Sequence, residues 1–291
     1  MVYNKRIIKK SAGRVILYLL AILIAIYVLA PYIWMIITSI STNNDLLHLP
    51  QRWFPQHPTL QNYIGILSGT NNVSSDAAAE FIYGLKNSAI VALTVTAITL
   101  LIGVPASYSF AKLKFRGKNT GLLMIVLTQM IPPIAIIIPL YVIVLKLHLY
   151  DNLSTLILVY LSFILPFVVW IMRGYFASIP DELEEAARID GCTKTGALLR
   201  VVLPIASAGL AVTVIFAFII AWNEFFYAFN FTSTMASKTL PVVITEFSDK
   251  YGDNYIMTCT GGVIASLPPV LLALFTQKLI INGLTSGAVK G

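Results

Sequence analysis

Long apolar runs separated by shorter polar stretches dominate the hydrophobic pattern of this 291-residue chain. A helix needs about 20 apolar residues to cross a bilayer core of ~30 Å, and six runs are of about that length. None of them contains Asp, Glu, Lys, Arg or His. The pattern therefore predicts an all-α integral membrane protein, a single domain over residues 1–291, with spans at approximately 15–37, 87–111, 121–145, 154–172, 201–222 and 256–277.

Composition strengthens the membrane prediction. The chain is 57% hydrophobic and only 11% charged, whereas a soluble domain carries roughly 25% charged residues. The net charge of +7 does not indicate nucleic acid as a partner, because the basic residues flank the apolar runs. Cys192 and Cys259 form no disulfide or metal pattern, and His48, His57 and His148 lie in loops without ligand spacing. We therefore expect no metal site.

The distribution of Lys and Arg predicts the orientation of the chain. Most of the 20 basic residues precede the first span, lie between spans two and three or four and five, or follow the sixth. Cytoplasmic loops carry such an excess, so both termini are expected in the cytoplasm. The first apolar run exceeds the ~7–15 residues of a signal peptide and is expected to remain as a span. Of the two long outside loops, residues 38–86 are expected to be ordered or interfacial and residues 223–255 to be re-entrant or at the surface.

Polar and helix-distorting residues within or beside the spans are candidates for lining a pathway. Proline removes a backbone donor, and in lipid the freed carbonyls favour protein-buried or water-lined positions. Ordinary kinks explain the prolines equally well. The candidates are Thr128, Gln129 and Pro132 in the third span, and Asn223 and Glu224 after the fifth.

One polar helix interrupts the apolar pattern, in the stretch SIPDELEEAARIDG at 178–191. Ser178 is expected to cap its N-terminus, and four acids crowd the first turns, where the helix dipole favours them. Glu184 and Arg188 are spaced as an i,i+4 ion pair. Gly191 permits a turn with positive φ. Taken alone, the helix also fits a solvated cytoplasmic loop.

Several activities lack support in the sequence. No G-x-x-x-x-G-K-[ST] loop is present, so the chain has no phosphate loop of that type, and energy for any active process must come from a partner. A secondary carrier places ionisable groups at membrane depth, which the spans lack. A membrane enzyme has no supporting catalytic constellation, and an assembly scaffold remains an alternative.

The polar helix resembles the EAA loop of ATP-binding-cassette (ABC) importer permeases. Glu185, Ala186 and Ala187 are followed by Gly191 and then by Leu203-Pro204 at the spacing of that loop. The resemblance covers nearly the whole chain, which is similar to the maltose-type carbohydrate permeases. It extends to the stretches NSAIVALTVTAITLLIGVPASYSFAKLKFRGK, WNEFFYAFNFTS, KTLPVVI and INGLTSGAVKG.

The resemblance implies a type I importer permease fold, with residues 181–199 as the coupling helix that docks on a cytoplasmic ATPase. The coupling residues would be Glu184, Glu185, Ala186, Ala187, Asp190, Gly191, Leu203 and Pro204. A C-terminal tail contact would use Gly283, Gly287 and Lys290. A loop toward the binding protein would use Asn230, Thr232, Ser233 and Lys238.

The partners follow from the same resemblance. They are a second, different permease subunit, two cytoplasmic ATPase subunits that hold ATP and Mg, and an extracytoplasmic solute-binding protein. The chain itself would need no cofactor and would lie in a bacterial or archaeal cytoplasmic membrane. The expected substrate is a di- or oligosaccharide, with another solute such as glycerol phosphate as the alternative. Trp222, Phe225, Phe226 and Tyr227 could stack on sugar rings or form an interfacial aromatic belt.

Overall fold

The computed structural model describes the backbone of residues 2–50, 52–68, 75–249 and 254–288, and the side chains of 13–50, 52–68, 79–247 and 254–277. Throughout these residues the regular structure is helical. The helices are α1 (Val2–Ser39), α2 (Asn43–Leu46), α3 (Gln61–Ser68), α4 (Ser75–Lys112), α5 (Lys118–Thr128), α6 (Pro133–Lys146), α7 (Leu153–Ser178), α8 (Asp181–Ile189), α9 (Lys194–Ala197), α10 (Leu203–Ile205), α11 (Ser207–Trp222), α12 (Phe226–Phe231), α13 (Leu240–Asp249) and α14 (Tyr255–Ala288).

Helices α1, α4, α7 and α14 are long and apolar enough to cross a membrane. Two bent helix pairs, α5 with α6 and residues 194–205 with α11, raise the number of candidate spans to six if each pair is one span. This agrees with the predicted all-α, multi-pass membrane fold. The single-domain assignment over residues 1–291 stays a prediction.

The two bent pairs are the main departure from six regular spans. The run at 121–145 is two helices meeting at 91°, since Pro132 and Pro133 supply no N–H to continue the first helix. The run at 201–222 is likewise bent, because residues 194–205 meet α11 at an angle of 83°. A π-helical turn, Leu198–Val202, precedes Pro204, which has no N–H to donate to the preceding turn.

The smaller of two compact units comprises Met1–Ala78 and Phe247–Ile264. Within it, α1 exposes its apolar side chains along most of its described length, as expected of a helix that faces lipid or another subunit. After α1, the described residues 40–50 and 52–68 contain α2 and α3 and are held by side-chain contacts. Thr42 and Asp45 form a capping box at α2, and the side-chain amide of Asn62 donates to the carbonyls of Ser39 and Ser41.

The larger unit comprises Ala79–Glu246 and Ala265–Gly291. Helix α7 packs against α11, α5 and α12, and buries Tyr160 and Phe176 completely. Helices approach closely where glycine replaces a side chain. A Cβ on Gly103 would lie 2.9 Å from Val168, and one on Gly209 would lie 2.3 Å from the ring of Tyr175. These contacts hold α4 and α11 against α7.

The segment expected to be a re-entrant or surface loop, residues 223–255, contains α12 and α13. Both are too short to cross a bilayer, which takes about 20 residues. Much of the segment is buried within the larger unit, including Tyr227, Phe231 and Leu240. Residues 223–246 are therefore a packed part of that unit rather than a free surface loop.

Candidate functional site

Helix α8 begins at Asp181, and the structure corrects the predicted cap. The residue before it is Pro180, which makes no side-chain cap. Ser178 instead ends α7, and its hydroxyl donates to the carbonyl of Tyr175. The expectation that Ser178 caps α8 was wrong because α7 continues farther than the predicted end of the fourth span. Asp181, Glu182 and Glu184 lie in the first turn of α8, where the helix dipole favours acidic groups.

Two side chains at the end of α4 hold α8 in place. The hydroxyl of Tyr108 donates to Glu184 Oε1 at 2.6 Å, and Lys112 Nζ lies 2.5 Å from Asp181 Oδ1. The Lys112 amine also donates to the carbonyl of Ile179, just before α8. Helix α8 is therefore attached to α4 through its acidic first turn.

Glu184 has a different role from the one its spacing predicted. Its carboxylate accepts from Tyr108, and among the described side chains it forms no ion pair with Arg188. The i,i+4 pairing of these two residues was a wrong expectation, because a buried tyrosine on α4 lies within reach. The hydrogen bond from Lys112, followed by its positive charge, lowers the pKa of Asp181.

The exposed part of α8 carries small and acidic residues beside the apolar Leu183 and Ile189 and the basic Arg188. Glu185, Ala186 and Asp190 are exposed, while Ala187 is buried against the larger unit. A face with alanine beside a free carboxylate lets another protein surface approach closely and offers it one charged contact. The structure thus divides the five predicted coupling residues at positions 184–190 into Glu184 and Ala187, which anchor the helix, and three exposed ones.

Gly191 turns the chain at the end of α8, as its sequence position predicted. Its φ is +89°, in the left-handed region, and the Cys192 N–H bonds to the carbonyl of Ala187 while the Gly191 N–H bonds to that of Arg188. This pair of bonds is a Schellman motif. Beyond it α9 starts, and the chain reaches Leu203 and Pro204 at the bend described above.

The candidate pathway residues of the third run lie at the break between α5 and α6. Thr128 and Gln129 are exposed; Thr128 Oγ1 donates to the carbonyl of Ile125, and Gln129 Nε2 donates to the carbonyl of Phe163 at 2.9 Å. Pro132 is the residue before α6. The exposed position of this break is compatible with a pathway face, and its role stays a prediction.

Glu224 caps a helix. Its carboxylate accepts from the N–H groups of Tyr227 at 2.8 Å and Ala228 at 3.1 Å, at the start of α12. Burial raises the pKa of Glu224, although these hydrogen bonds and the nearby Tyr160 hydroxyl favour the charged form. The neighbouring Asn223 is exposed. Much of the acceptor capacity of Glu224 is therefore used within the subunit.

The four residues assigned to a binding-protein loop differ in exposure. Ser233 is exposed, Asn230 is half-buried with its amide on the carbonyl of Phe226, and Thr232 is buried with its hydroxyl on the carbonyl of Ala228. Lys238 is buried, with Nζ 2.7 Å from Glu246 and 3.6 Å from Glu80. The assignment of this loop stays a prediction, but Lys238 directs its charge into the subunit.

Sequence reasoning missed Asp151, which lies between α6 and α7. Its carboxylate accepts from the N–H groups of Ser233 at 2.8 Å and Thr234 at 3.0 Å and from the hydroxyls of Thr234 and Ser237. Burial raises the pKa of Asp151, but the hydrogen bonds outweigh it and hold the value at about 2. The positive φ of 60° at Asp151 marks a turn that its short polar side chain tolerates.

The aromatic residues near the end of α11 serve packing. Trp222 is buried, and its Nε1 donates to the carbonyl of Ala265 at 3.0 Å. Tyr227 stacks on Phe163 with 5.7 Å between ring centroids. Phe225 remains exposed. The residues predicted for the C-terminal tail contact are Gly283, Gly287 and Lys290. They lie outside the part of the chain whose side chains are described.

Comparisons with known proteins place these features in a family context. Residues 99–286 match the family described as binding-protein-dependent transport system inner membrane component. The chain is 35% identical to the sulfoquinovosyl glycerol transport system permease protein of Agrobacterium fabrum, over 96% of this chain and 95% of that one. It is 34% identical to the trehalose/maltose transport system permease protein of Thermococcus litoralis, over 96% and 97%.

A further relative is the diacetylchitobiose uptake system permease protein of Streptomyces coelicolor, 33% identical over 96% of this chain and 98% of that one. Among solved structures, a chain of a bacterial ABC transporter involved in the import of the acidic polysaccharide alginate aligns with a TM-score of 0.74 at 21% identity. That alignment covers 92% of this chain and 97% of the other, and it supports the fold.

Proposed function

The chain belongs to the family of binding-protein-dependent transport system inner membrane components, and from this premise we propose that it is the permease subunit of an importer for a di- or oligosaccharide. It forms half of the translocation pore and couples to a cytoplasmic ATPase. The observation that carries the coupling role is α8, a short acidic helix fixed to the end of α4 by Tyr108 and Lys112 while Glu185 and Ala186 remain exposed.

The ATPase contact consists of the exposed face of α8. Glu185 offers a charge to a basic residue of the ATPase, Ala186 permits close approach, and Gly191 sets the angle at which the chain leaves the helix. Because α8 is attached to α4, a displacement of α8 by the ATPase also pulls on a candidate span. The spans then need only two packings of similar free energy, which the partners bias in opposite directions.

ATP binding and hydrolysis belong to two separate ATPase subunits, which hold ATP and Mg, and this chain is a transporter subunit without enzymatic activity of its own. A second, different permease subunit completes the pore. The exposed apolar surfaces of α1 and of the α5–α6 break are suited to lipid and to that subunit. Both termini and α8 lie in the cytoplasm of a bacterial or archaeal cell.

A sugar substrate is supported by the names of the relatives, which include transporters of trehalose, maltose and diacetylchitobiose. A solute-binding protein delivers the sugar from outside. Since Trp222 and Tyr227 are occupied in packing, aromatic contacts to sugar from this chain fall to exposed rings such as Phe225 and Phe229.

Charge reversal on α8 tests the coupling role. In cells that take up the sugar through the complete transporter, Glu185→Lys should abolish uptake while the chain still inserts and assembles, because a repulsive charge meets the ATPase. Lys146→Glu is the matched control: it also changes the charge by two, at the exposed end of α6, and should retain uptake. Normal uptake by Glu185→Lys, with assembly verified by co-purification, would contradict the assignment.

A further inference from the structure

A cluster of three charged side chains, the buried Glu80 and Lys238 and the half-buried Glu246, is not explained by the coupling helix. Lys238 Nζ lies 2.7 Å from Glu246 Oε1 and 3.6 Å from Glu80 Oε2. The side chains of Lys238 and Glu80 are only 11% and 7% exposed. Burying charges is costly unless they are paired, so the cluster must hold parts of the subunit in a fixed arrangement.

The cluster joins two separate segments of the larger unit, the start of α4 and the stretch that contains Lys238 and α13. Glu80 belongs to the first turns of α4, Lys238 precedes α13, and Glu246 lies on α13. The backbone of the same segment is held as well. The amide of Asn87, on α4, donates to the carbonyls of Met235 at 3.0 Å and Lys238 at 2.9 Å.

The polar contacts continue on both sides of Lys238. The N–H of Leu240 donates to Ser88 Oγ on α4 at 2.8 Å, and Asp151 accepts from Ser233, Thr234 and Ser237 as described above. Between these attachments the chain exposes a short tip, Ser233, Thr234 and Ala236. The tip is thus a small exposed surface that is held by contacts with α4 and with Asp151.

We propose that Lys238 is a positioning residue, which with Glu80 and Glu246 sets the tip at residues 233–236 in the arrangement that the solute-binding protein engages. This rests on the proposed function and changes the role expected for Lys238. The lysine does not touch the binding protein; it neutralises two carboxylates whose repulsion would otherwise push α13 away from the start of α4.

The test uses the complete transporter in lipid nanodiscs, with ATPase rate measured against the concentration of its cognate solute-binding protein. Lys238→Met should raise the half-saturating concentration about tenfold and leave the rate without binding protein unchanged, since the α8 contacts stay intact. Lys238→Arg should behave like the wild type. The double variant Lys238→Met/Glu246→Gln should recover most of the loss, because the two carboxylates no longer repel each other and the amide introduced at position 246 can donate to Glu80.

A direct contact between Lys238 and the binding protein gives a different result. The double variant would then remain as weak as Lys238→Met, which would overturn the proposal, as would an unchanged half-saturating concentration in Lys238→Met itself. If Lys238→Met does not assemble, the exchanged pair Lys238→Glu/Glu246→Lys serves instead. Its half-saturating concentration of binding protein should be close to that of the wild type only if Lys238 is a positioning residue. A wild-type transporter that ignores its binding protein would refute the proposed function rather than this inference.

Discussion

Helix α4 makes polar contacts at both of its ends, and the two sets differ in their exposure to water. Near its C-terminal end, Lys112, whose own side chain is only 5% exposed, pairs with an Asp181 side chain that is 77% exposed. Near its start, Glu80 lies in a cluster with Lys238 and Glu246 that is largely withdrawn from solvent. Water solvates the Asp181 carboxylate when its contact opens, whereas Glu80 has no such access to water. The contrast suits a movable contact at α8 and a fixed one at the tip.

The two sets of contacts on α4 lie far apart along the helix. Asn87 and Tyr108 both lie on α4, and at 1.5 Å per residue they are roughly 30 Å apart along the helix. This is about the thickness of a bilayer core. A single helix therefore connects the proposed ATPase contact with the proposed binding-protein contact.

The largest expected effect compares the two lysines. Lys238→Met should lower the free energy of unfolding by about 3–5 kcal/mol, because two carboxylates stay buried without a counter-charge. Lys112→Met should cost far less, since water solvates Asp181 once its partner is gone. The measurement is the denaturation midpoint of each detergent-solubilised variant. Equal losses for the two methionine variants would show that the ends of α4 do not differ as described.

Removing one hydroxyl tests how firmly α8 is attached. Tyr108→Phe deletes the hydrogen bond to Glu184 and should cost about 1–2 kcal/mol, with uptake per ATP hydrolysed falling because α8 moves more independently of α4. The ratio of sugar uptake to phosphate release in proteoliposomes measures this. Tyr141→Phe, at a tyrosine distant from α8 in sequence, is the control for loss of a hydroxyl, and a ratio unchanged in Tyr108→Phe would mean that this bond does not transmit force.

The sequence predicted the features that depend on local signals. The position of α8 follows from its acidic first turn, and the turn at Gly191 follows from the glycine itself. The cap failed at Ser178 because the end of α7 is set by packing, not by a local signal. Proline marked the break in the third run, but Pro166 and Pro268 lie within unbroken helices, and the angles of 91° and 83° depend on the neighbouring helices.

The contacts around Lys238 could not be predicted from one sequence. Asn87 and Lys238 are 151 residues apart, and no periodicity relates two such distant segments. In addition, an isolated lysine in a polar, aromatic stretch reads as a surface residue, since lysine is almost never fully buried unless paired. Only the fold reveals that Glu80 and Glu246 supply the partners.

A pH dependence should distinguish the fixed end from the movable one. The pKa of Asp151 is about 2, below its ordinary value of 3.8. The stability it contributes is therefore fully present above about pH 4 and is lost as the pH falls toward 2. After allowance for solvent screening the loss is on the order of 1 kcal/mol. Thermal denaturation from pH 5 to pH 2.5 measures it, and Asp151→Asn should reduce the slope; equal slopes in both proteins would refute this role.

The smallest effect is expected at the exposed carboxylate of Asp181. Asp181→Asn removes the charge that faces Lys112, but the amide oxygen at this position and the carbonyl of Ile179 still accept from the Lys112 amine. The denaturation midpoint should fall only slightly, and uptake should remain close to wild type. A clear loss of stability in Asp181→Asn would mean that α8 is held as rigidly as the tip. The hydrogen bond from Tyr108 to Glu184 would then be the remaining candidate for a movable contact at this end of α4.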